Sequence, residues 1–231
     1  MKMVAASKMR GELVRLQAGK DYGYKSVDMI FKSDMYLQRK APSQEIHDAS
    51  ELIVPITSDK GLCGGINSSI VREIKTYLKD KNRSKYKIIP IGEKGSSGMI
   101  RPFPDLITFS ISEVPSPRNF PTVMAISDIV ARNGDGSDKI VVYYNEFKSA
   151  INQVIRRMEL MPKKRFLEAM KFQRLYNQTR PDKNASNPSL YELYLSSNLW
   201  VAFLNNAASE MSARMNAMEN ASKNAKEIGE Q

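Results

Sequence analysis

The sequence predicts an α/β protein in which a long antiparallel coiled coil of N- and C-terminal helices is joined to a small Rossmann-like α/β domain. Two observations lead to this fold class. At both ends of the chain, apolar residues recur in alternating steps of four and three, which is the period of a coiled-coil seam. Between the ends, short β-branched runs alternate with amphipathic stretches of helical period, and this favours a mostly parallel sheet.

The first predicted helix spans residues 1–40. Gly11, Gly19 and Gly23 interrupt it, and each lowers helix stability by about 1 kcal/mol relative to alanine. The C-terminal helix has the same apolar period, so we expect it to pack against this helix and compensate the loss. The predicted seam of the N-terminal helix contains Met9, Leu13, Leu16, Val27, Ile30 and Leu37.

The middle of the chain, residues 51–160, is predicted to form the α/β domain after a polar linker. Pro55 lies inside the first strand, which indicates an edge position or a local distortion. The predicted strands span 52–57, 87–91, 106–111 and 139–144, and the predicted helices span 66–81 and 122–132.

The stretch 150–160 is ambiguous, because its apolar residues fit either a helix or a strand paired with 139–144. We predict the strand. Residues 161–188 are basic and polar and contain three prolines, so we predict a loop there.

The C-terminal helix is predicted over 189–231, since neither glycine nor proline occurs from Ser189 to Ile228. Asn187 is the expected N-cap, Pro188 suits the first turn, and Gly229 suits the end. The alternative is a surface helix of a large domain. The predicted seam contains Leu190, Tyr194, Ser197, Val201, Leu204, Ala208, Met211, Met215, Met218, Ser222 and Ala225.

Composition excludes several classes of function. The single Cys63 allows no internal disulfide, and one cysteine beside one histidine, His47, provides no zinc set. No run of 18 apolar residues is present, so we expect no membrane insertion. The net charge of +10 favours phosphate or acidic partners. A basic coiled-coil nucleic-acid binder is a weaker reading, because no known nucleic-acid-binding motif accompanies the charge.

The glycine-rich segment 58–67 (SDKGLCGGIN) is the most suggestive local motif. A turn between a strand and a helix can present backbone N–H groups to a phosphate, which leaves a small Rossmann-like nucleotide-binding enzyme as the alternative function. The spacing matches neither of the common phosphate-binding motifs, so a plain strand-to-helix turn is favoured. Asp59 and Lys60 are candidate partner contacts, whereas Cys63 lacks the base that a nucleophile needs. We predict no cofactor and no metal site.

Three stretches together resemble the gamma subunit of the rotary F-type ATP synthase. They are residues 1–9 (MKMVAASKM), 57–67 (TSDKGLCGGIN) and 209–225 (SEMSARMNAMENASKNA). Their order and positions fit the family along the whole chain. The close of the third stretch is similar to mitochondrial and related bacterial members rather than to chloroplast ones.

This resemblance implies a non-catalytic rotor. The terminal helices would pair as a coiled coil inside a ring of alpha and beta subunits, while the α/β domain would meet epsilon/delta-type stalk subunits and the ring of membrane c subunits. Proton-driven rotation would then move the beta subunits through their nucleotide states. The expected location is the matrix side of the mitochondrial inner membrane, or alternatively the cytoplasmic face of a bacterial membrane, peripheral in either case.

The resemblance also implies residue roles. Family members continue beyond both ends of the matched stretches, at residues before Met1 and after Lys226. Six residues are the candidate partner contacts. Met1, Lys2 and Lys8 would face the collar of the alpha/beta ring, whereas Asp59, Lys60 and Arg214 would pair with charged beta-subunit loops.

Overall fold

The computed structural model describes residues 2–20, 23, 49–116, 118–171 and 183–230. The order of helices and strands follows the predicted alternation between two terminal helices. The elements are α1 (Lys2–Lys20), β1 (Glu51–Pro55), α2 (Ile66–Leu78), β2 (Tyr86–Ile88), α3 (Glu93–Ile100), α4 (Phe120–Gly134), β3 (Lys139–Phe147), β4 (Gln153–Leu160), α5 (Lys163–Lys171) and α6 (Lys183–Gly229).

The strands form a sheet in the order β2-β1-β3-β4. β1 is parallel to β2 and β3, and β4 is antiparallel to β3, which confirms both the mostly parallel sheet and the strand predicted within 150–160. The edge position inferred from Pro55 is wrong, because β1 lies between two strands. Pro55 is tolerated at the end of β1, where its carbonyl accepts a hydrogen bond from the Ile91 amide at 2.9 Å.

Helices cover both faces of the sheet, as the alternation along β1 requires. Ile53 points into a buried cluster with residues of α2 and α3. Leu52 and Val54 point to the opposite face, where they join a cluster formed with α4, α5 and α6. Phe203 of α6 is fully buried in this second cluster, so the middle of the C-terminal helix is part of the domain core.

Three element predictions are wrong. The stretch 106–111 is not a strand, because Ile107 and Ile111 make only isolated bridges to the neighbouring backbone. α3 was not predicted, since two glycines weaken its helical signal. Part of the predicted loop 161–188 is the helix α5, which Phe166 anchors by packing against Tyr191 and Tyr194. The stretch 172–182 lies outside the described residues.

The C-terminal helix starts earlier than predicted. α6 begins at Lys183 and contains Pro188, so the assignment of Asn187 as N-cap is wrong. Proline lacks the N–H that would bond the carbonyl four residues earlier, and a helix can lose this bond near its start more readily than in its middle. The end at Gly229 agrees with the prediction.

The burial of α6 is broader than a coiled-coil seam. Every residue from 199 to 210 except Trp200 is buried, because the α/β domain and α1 cover different sides of this stretch. The helix is exposed from residue 220 to its end at Gly229. The predicted seam follows this gradient: Tyr194, Ser197, Val201, Leu204 and Ala208 are buried, Leu190, Met211, Met215 and Met218 are half-buried, and Ser222 and Ala225 are exposed.

α1 runs antiparallel to α6. A Cβ on Gly19 would lie 2.1 Å from Leu204 Cδ1, whereas a Cβ on Gly23 would lie 1.9 Å from a methyl of Val201, so the order of contacts is reversed between the helices. These two glycines therefore allow a close helix approach, as expected. Gly11 is exposed, and no other part of the described chain approaches it closely enough to give such compensation.

Three predicted seam residues of the N-terminal helix lie in the described part of the chain. Leu16 is buried against Leu204 and Ala208, and Met9 and Leu13 are half-buried. The remaining predicted seam positions, Val27, Ile30 and Leu37, lie outside the described residues.

Candidate interaction surface of the glycine loop and helix α6

The glycine loop, residues 58–67, is closed by its own end residues. The Ser58 amide donates to Asn67 Oδ1 at 3.1 Å, and Asn67 Nδ2 donates to Ser58 Oγ at 2.7 Å. The backbone between them turns through left-handed conformations at Leu62 and Gly64, with φ values of 58° and 60°. This geometry leaves the Leu62 side chain 74% exposed.

Cys63 is the packed centre of the loop. Its thiol is buried, accepts a hydrogen bond from Asn67 Nδ2 at 3.2 Å and contacts Ser58 Oγ at 3.6 Å. Neither neighbour is a base that could activate a thiol. The contacts give Cys63 a structural role in holding the turn.

Asp59 ties the loop to the rest of the domain. Its Oδ1 accepts backbone hydrogen bonds from Glu93, at the start of α3, and from Glu113, each at 3.1 Å. Because a carboxylate at a helix start is also favoured by the helix dipole, Asp59 stabilises α3. This internal role was not predicted from the sequence.

Arg214 of α6 lies against the same loop. Its guanidinium donates to Glu210 Oε1 at 2.7 Å and approaches the carbonyls of Gly61 and Lys60 at 3.4 and 3.5 Å. The Arg214 and Glu210 side chains are only 13% and 8% exposed. The structure thus brings together the predicted contacts Lys60 and Arg214, and it directs the arginine towards the loop.

The predicted contacts differ in accessibility. Lys60 and Lys8 are exposed, whereas Asp59 is half-buried. Lys2 is the first residue of α1, and Met1 lies outside the described residues. The accessible part of the loop therefore presents Lys60 and the apolar Leu62.

The usual ligand crevice of a Rossmann-like sheet is occupied by α6. Such ligands bind beyond the carboxyl ends of neighbouring strands whose connections run in opposite directions, which here are β1 and β3. Asn206 and Ser209 of α6 hydrogen-bond to Asn145 on β3, and Arg214 covers the loop after β1. This packing argues against the nucleotide-binding alternative. A cavity of about 230 Å³ lies elsewhere, between α4 and α6.

Comparison with known proteins identifies the family. The ATP synthase family model matches residues 1–231. The mitochondrial ATP synthase F(1) complex subunit gamma of Dictyostelium discoideum is 30% identical over 232 residues, covering 99% of this chain and 75% of that protein. The chain belongs to the ATP synthase gamma-subunit family. The ATP synthase gamma chain of Pelagibacter ubique is likewise 30% identical, over 99% of this chain and 82% of that one.

Solved structures agree with the gamma-subunit assignment. A chain from the central stalk/c-ring structure of the Tetrahymena thermophila mitochondrial ATP synthase is 44% identical, with a TM-score of 0.86 over 96% of this chain and 97% of that one. A rotor chain from the Euglena gracilis mitochondrial ATP synthase shares the fold at 20% identity, with a TM-score of 0.66 over 98% of this chain and 92% of that one.

In the described ranges, no group of three His, Cys, Asp or Glu side chains is placed to hold a metal ion. None of the helices described is long and apolar enough to cross a membrane.

Sequence reasoning missed Glu210 and the polar face of α6 that meets β3. The available signal was the series Asn206, Ser209 and Ser212, three polar residues at steps of three. Such residues lie on one helix face, and buried polar groups on one face require partners.

Proposed function

We propose that this chain is the central rotor shaft of an ATP synthase, where it couples proton-driven rotation of the c ring to conformational cycling of the catalytic beta subunits. The observation that carries the proposal is the match, over nearly the whole chain, to a stalk chain at 44% identity. The chain itself is a non-catalytic subunit and binds no nucleotide.

The shaft is proposed to be an asymmetric antiparallel coiled coil. The close approach of α1 to α6 at Gly19 and Gly23 supports this arrangement, as does the 47-residue length of α6, about 70 Å. The exposed residues from 220 onward project beyond the part of α6 that the α/β domain buries. An exposed, uniformly helical end suits a shaft that turns inside a ring of partners.

The proposed partners lie at opposite ends of the molecule. Alpha and beta subunits would surround the shaft, and epsilon/delta-type subunits and the c ring would contact the α/β domain. The Tetrahymena chain supports this set, since it comes from a structure of the central stalk and c ring. The proposed location is the matrix side of the mitochondrial inner membrane, with peripheral association.

Contacts with the ring are proposed at the glycine loop with the adjacent Arg214 and at the start of α1. Lys60 and Arg214 would meet charged beta-subunit loops, with Asp59 holding the loop in place for them, and Met1, Lys2 and Lys8 would face the collar. Exposed charge pairs contribute only about 0–1 kcal/mol each, which suits an interface that must slide rather than lock.

Native purification tests the proposal. The tagged chain is recovered from its source membranes, and the co-purifying proteins are identified and counted by mass spectrometry. We expect three alpha and three beta subunits per chain, together with c subunits. Recovery of the chain alone with bound nucleotide would overturn the rotor function and favour an enzyme.

A second measurement tests the residue roles. Lys60→Glu reverses the charge of an exposed loop residue, and Lys79→Glu makes the same change at the end of α2. In the assembled enzyme, Lys60→Glu should lower the protons pumped per ATP hydrolysed, whereas Lys79→Glu serves as the control. Equal coupling in both variants would remove Lys60 from the proposed contacts.

A further inference from the structure

The shaft helix meets the β3–β4 hairpin through a polar stripe, which is Asn206, Ser209, Ser212 and Asn216 of α6. Steps of three, three and four place these four side chains on one face of the helix. Apolar packing is non-directional and permits small rotations of a helix, whereas hydrogen bonds have defined donor and acceptor directions. The stripe therefore fixes how α6 is rotated relative to the domain.

The N-terminal half of the stripe, Asn206 and Ser209, is hydrogen-bonded to β3. Asn206 Oδ1 accepts from the backbone amide and the Nδ2 of Asn145, at 3.3 and 3.1 Å. Ser209 Oγ donates to the carbonyl of the same Asn145 at 3.0 Å. One strand residue is thus held through its backbone and its side chain by two successive turns of α6.

The C-terminal half of the stripe, Ser212 and Asn216, is hydrogen-bonded to the hairpin turn and to β4. Ser212 Oγ donates to the Ala150 carbonyl at 2.6 Å and accepts from Gln153 Nε2 at 3.2 Å. Asn216 Nδ2 donates to the same Ala150 carbonyl at 2.7 Å. All the hairpin partners in both halves lie between residues 145 and 153.

Three of the four stripe residues are buried, which favours a rigid connection, and Asn216 is half-buried. Ser209 and Ser212 are fully buried, and Asn206 and Asn145 are 2% and 3% exposed. If α6 turned or slid against the hairpin, these polar groups would lose their partners without gaining water. The α1 side of α6 is different, because Leu204 and Ala208 make apolar contacts there that carry no directional constraint.

We propose that the polar stripe transmits torque between the α/β domain and the shaft helix. This inference rests on the proposed rotor function, in which rotation enters at the domain and is delivered along α6. Asn206, Ser209, Ser212 and Asn216 are positioning residues: they touch no substrate and act by keeping helix and domain in one rotational register.

Single-molecule rotation of the assembled enzyme tests the proposal. A bead is attached through Gly136→Cys, an exposed position with open space around its Cα, while the native Cys63 is buried. Ser209→Ala with Ser212→Ala removes three of the six hydrogen bonds of the stripe. If the six bonds act as parallel springs, torsional stiffness, measured from bead fluctuations during catalytic pauses, falls roughly twofold.

Ser197→Ala is the matched control. Ser197 is on the same helix and fully buried, and its hydroxyl has no hydrogen-bond partner among the residues that the structure describes, so the stiffness should stay unchanged. In the absence of a proton gradient, the double variant should hydrolyse ATP at the same rate as the parent. Against a proton gradient, it should pump fewer protons per ATP hydrolysed than the parent does. Equal stiffness of the double variant and the parent would overturn the proposal, and so would an equal loss in the Ser197→Ala control.

Further outcomes separate folding from torque transmission. The single Ser212→Ala variant removes two of the six hydrogen bonds of the stripe. It is measured instead of the double variant if the double variant does not assemble into the enzyme. Loss of assembly in Ser212→Ala alone would overturn the proposal, because the stripe would then serve folding. A bead that never rotates on the parent enzyme would instead contradict the rotor function on which the inference rests.

Discussion

The glycines of α1 give a sharp test of how the two terminal helices fit together. Gly19→Ala places a methyl group 2.1 Å from Leu204 Cδ1 and 3.2 Å from Trp200 Nε1, well inside normal contact distances. Leu204 is 2% exposed and packs against Leu16, so its side chain has little room to move away. Gly11→Ala makes the same chemical change at an exposed position, where no described residue outside the local helix turn comes within 4 Å of the new methyl group.

The two substitutions should change stability in opposite directions. Overpacking of a filled interface costs about 1–3 kcal/mol, and alanine regains up to about 1 kcal/mol of helix propensity. We therefore expect Gly19→Ala to lower the free energy of unfolding by about 1–2 kcal/mol, where the propensity gain offsets part of the loss. Gly11→Ala should raise it by about 0.5–1 kcal/mol, because only the propensity term acts.

Urea unfolding of the full chain measures both effects. Trp200 is the single tryptophan and lies beside Gly19, so its fluorescence reports the α1–α6 contact directly, while circular dichroism reports total helix. A Gly19→Ala variant as stable as Gly11→Ala would refute the close approach of the helices and remove the reason for a glycine at this position.

Three further predictions concern the loop and the domain. Asp59→Ala removes the acceptor of two backbone hydrogen bonds, and urea titration should show a loss of about 1–2 kcal/mol; an unchanged midpoint would contradict the capping role. Arg214→Gln leaves the buried Glu210 carboxylate without its charged partner and should cost about 3 kcal/mol, whereas Arg214→Gln with Glu210→Gln should recover part of it. Additive losses in that double variant would contradict the pairing. Hydrogen bonds from the Ser50 amide and hydroxyl hold the pKa of Asp138 below its ordinary value. A carboxylate with a depressed folded-state pKa adds stability above its unfolded pKa, near 4, and loses it as the pH falls through the folded value. Asp138→Asn should therefore destabilise the chain at pH 7 and progressively less below pH 4; a pH-independent loss would contradict this cause.

Local sequence patterns were sufficient for elements whose hydrophobic signal agrees with their environment. β3 and α4 were predicted because β-branched residues and a helical apolar period mark them directly. α3 was missed because Gly95 is unfavourable in a helix by propensity. The structure needs glycine there, since a Cβ would lie 2.5 Å from Thr57 Oγ1. Tertiary packing overrides local preference at such a position.

The candidate surface was only half predictable. The sequence motifs predict that residues of the loop and of α6 contact partners. Their internal roles, however, depend on contacts between distant parts of the chain. Arg214 reaches the carbonyls of Lys60 and Gly61 across more than 150 residues of sequence. Asp59 likewise bonds to Glu93 and Glu113. Periodicity carries no information on such pairings, because it reports which face is buried and not what covers it.

The packing of α6 also shows why the coiled-coil interpretation was too narrow. A four-three repeat predicts one apolar seam, whereas a single helix that serves both as shaft and as domain core needs two buried sides. The stretch around Phe203 has these two buried sides: Phe203 packs in the cluster on the sheet, and Leu204 packs against α1. The polar stripe lies on the side of α6 that contacts the β3–β4 hairpin.

The most direct test of the rotor function is to watch the chain turn. The alpha/beta ring of the assembled enzyme is fixed to a surface, and a bead on Gly136→Cys reports the angle of the α/β domain while ATP is hydrolysed. The account predicts rotation in one direction, in regular steps that stop when ATP is removed. Steady ATP hydrolysis with a stationary bead would contradict it.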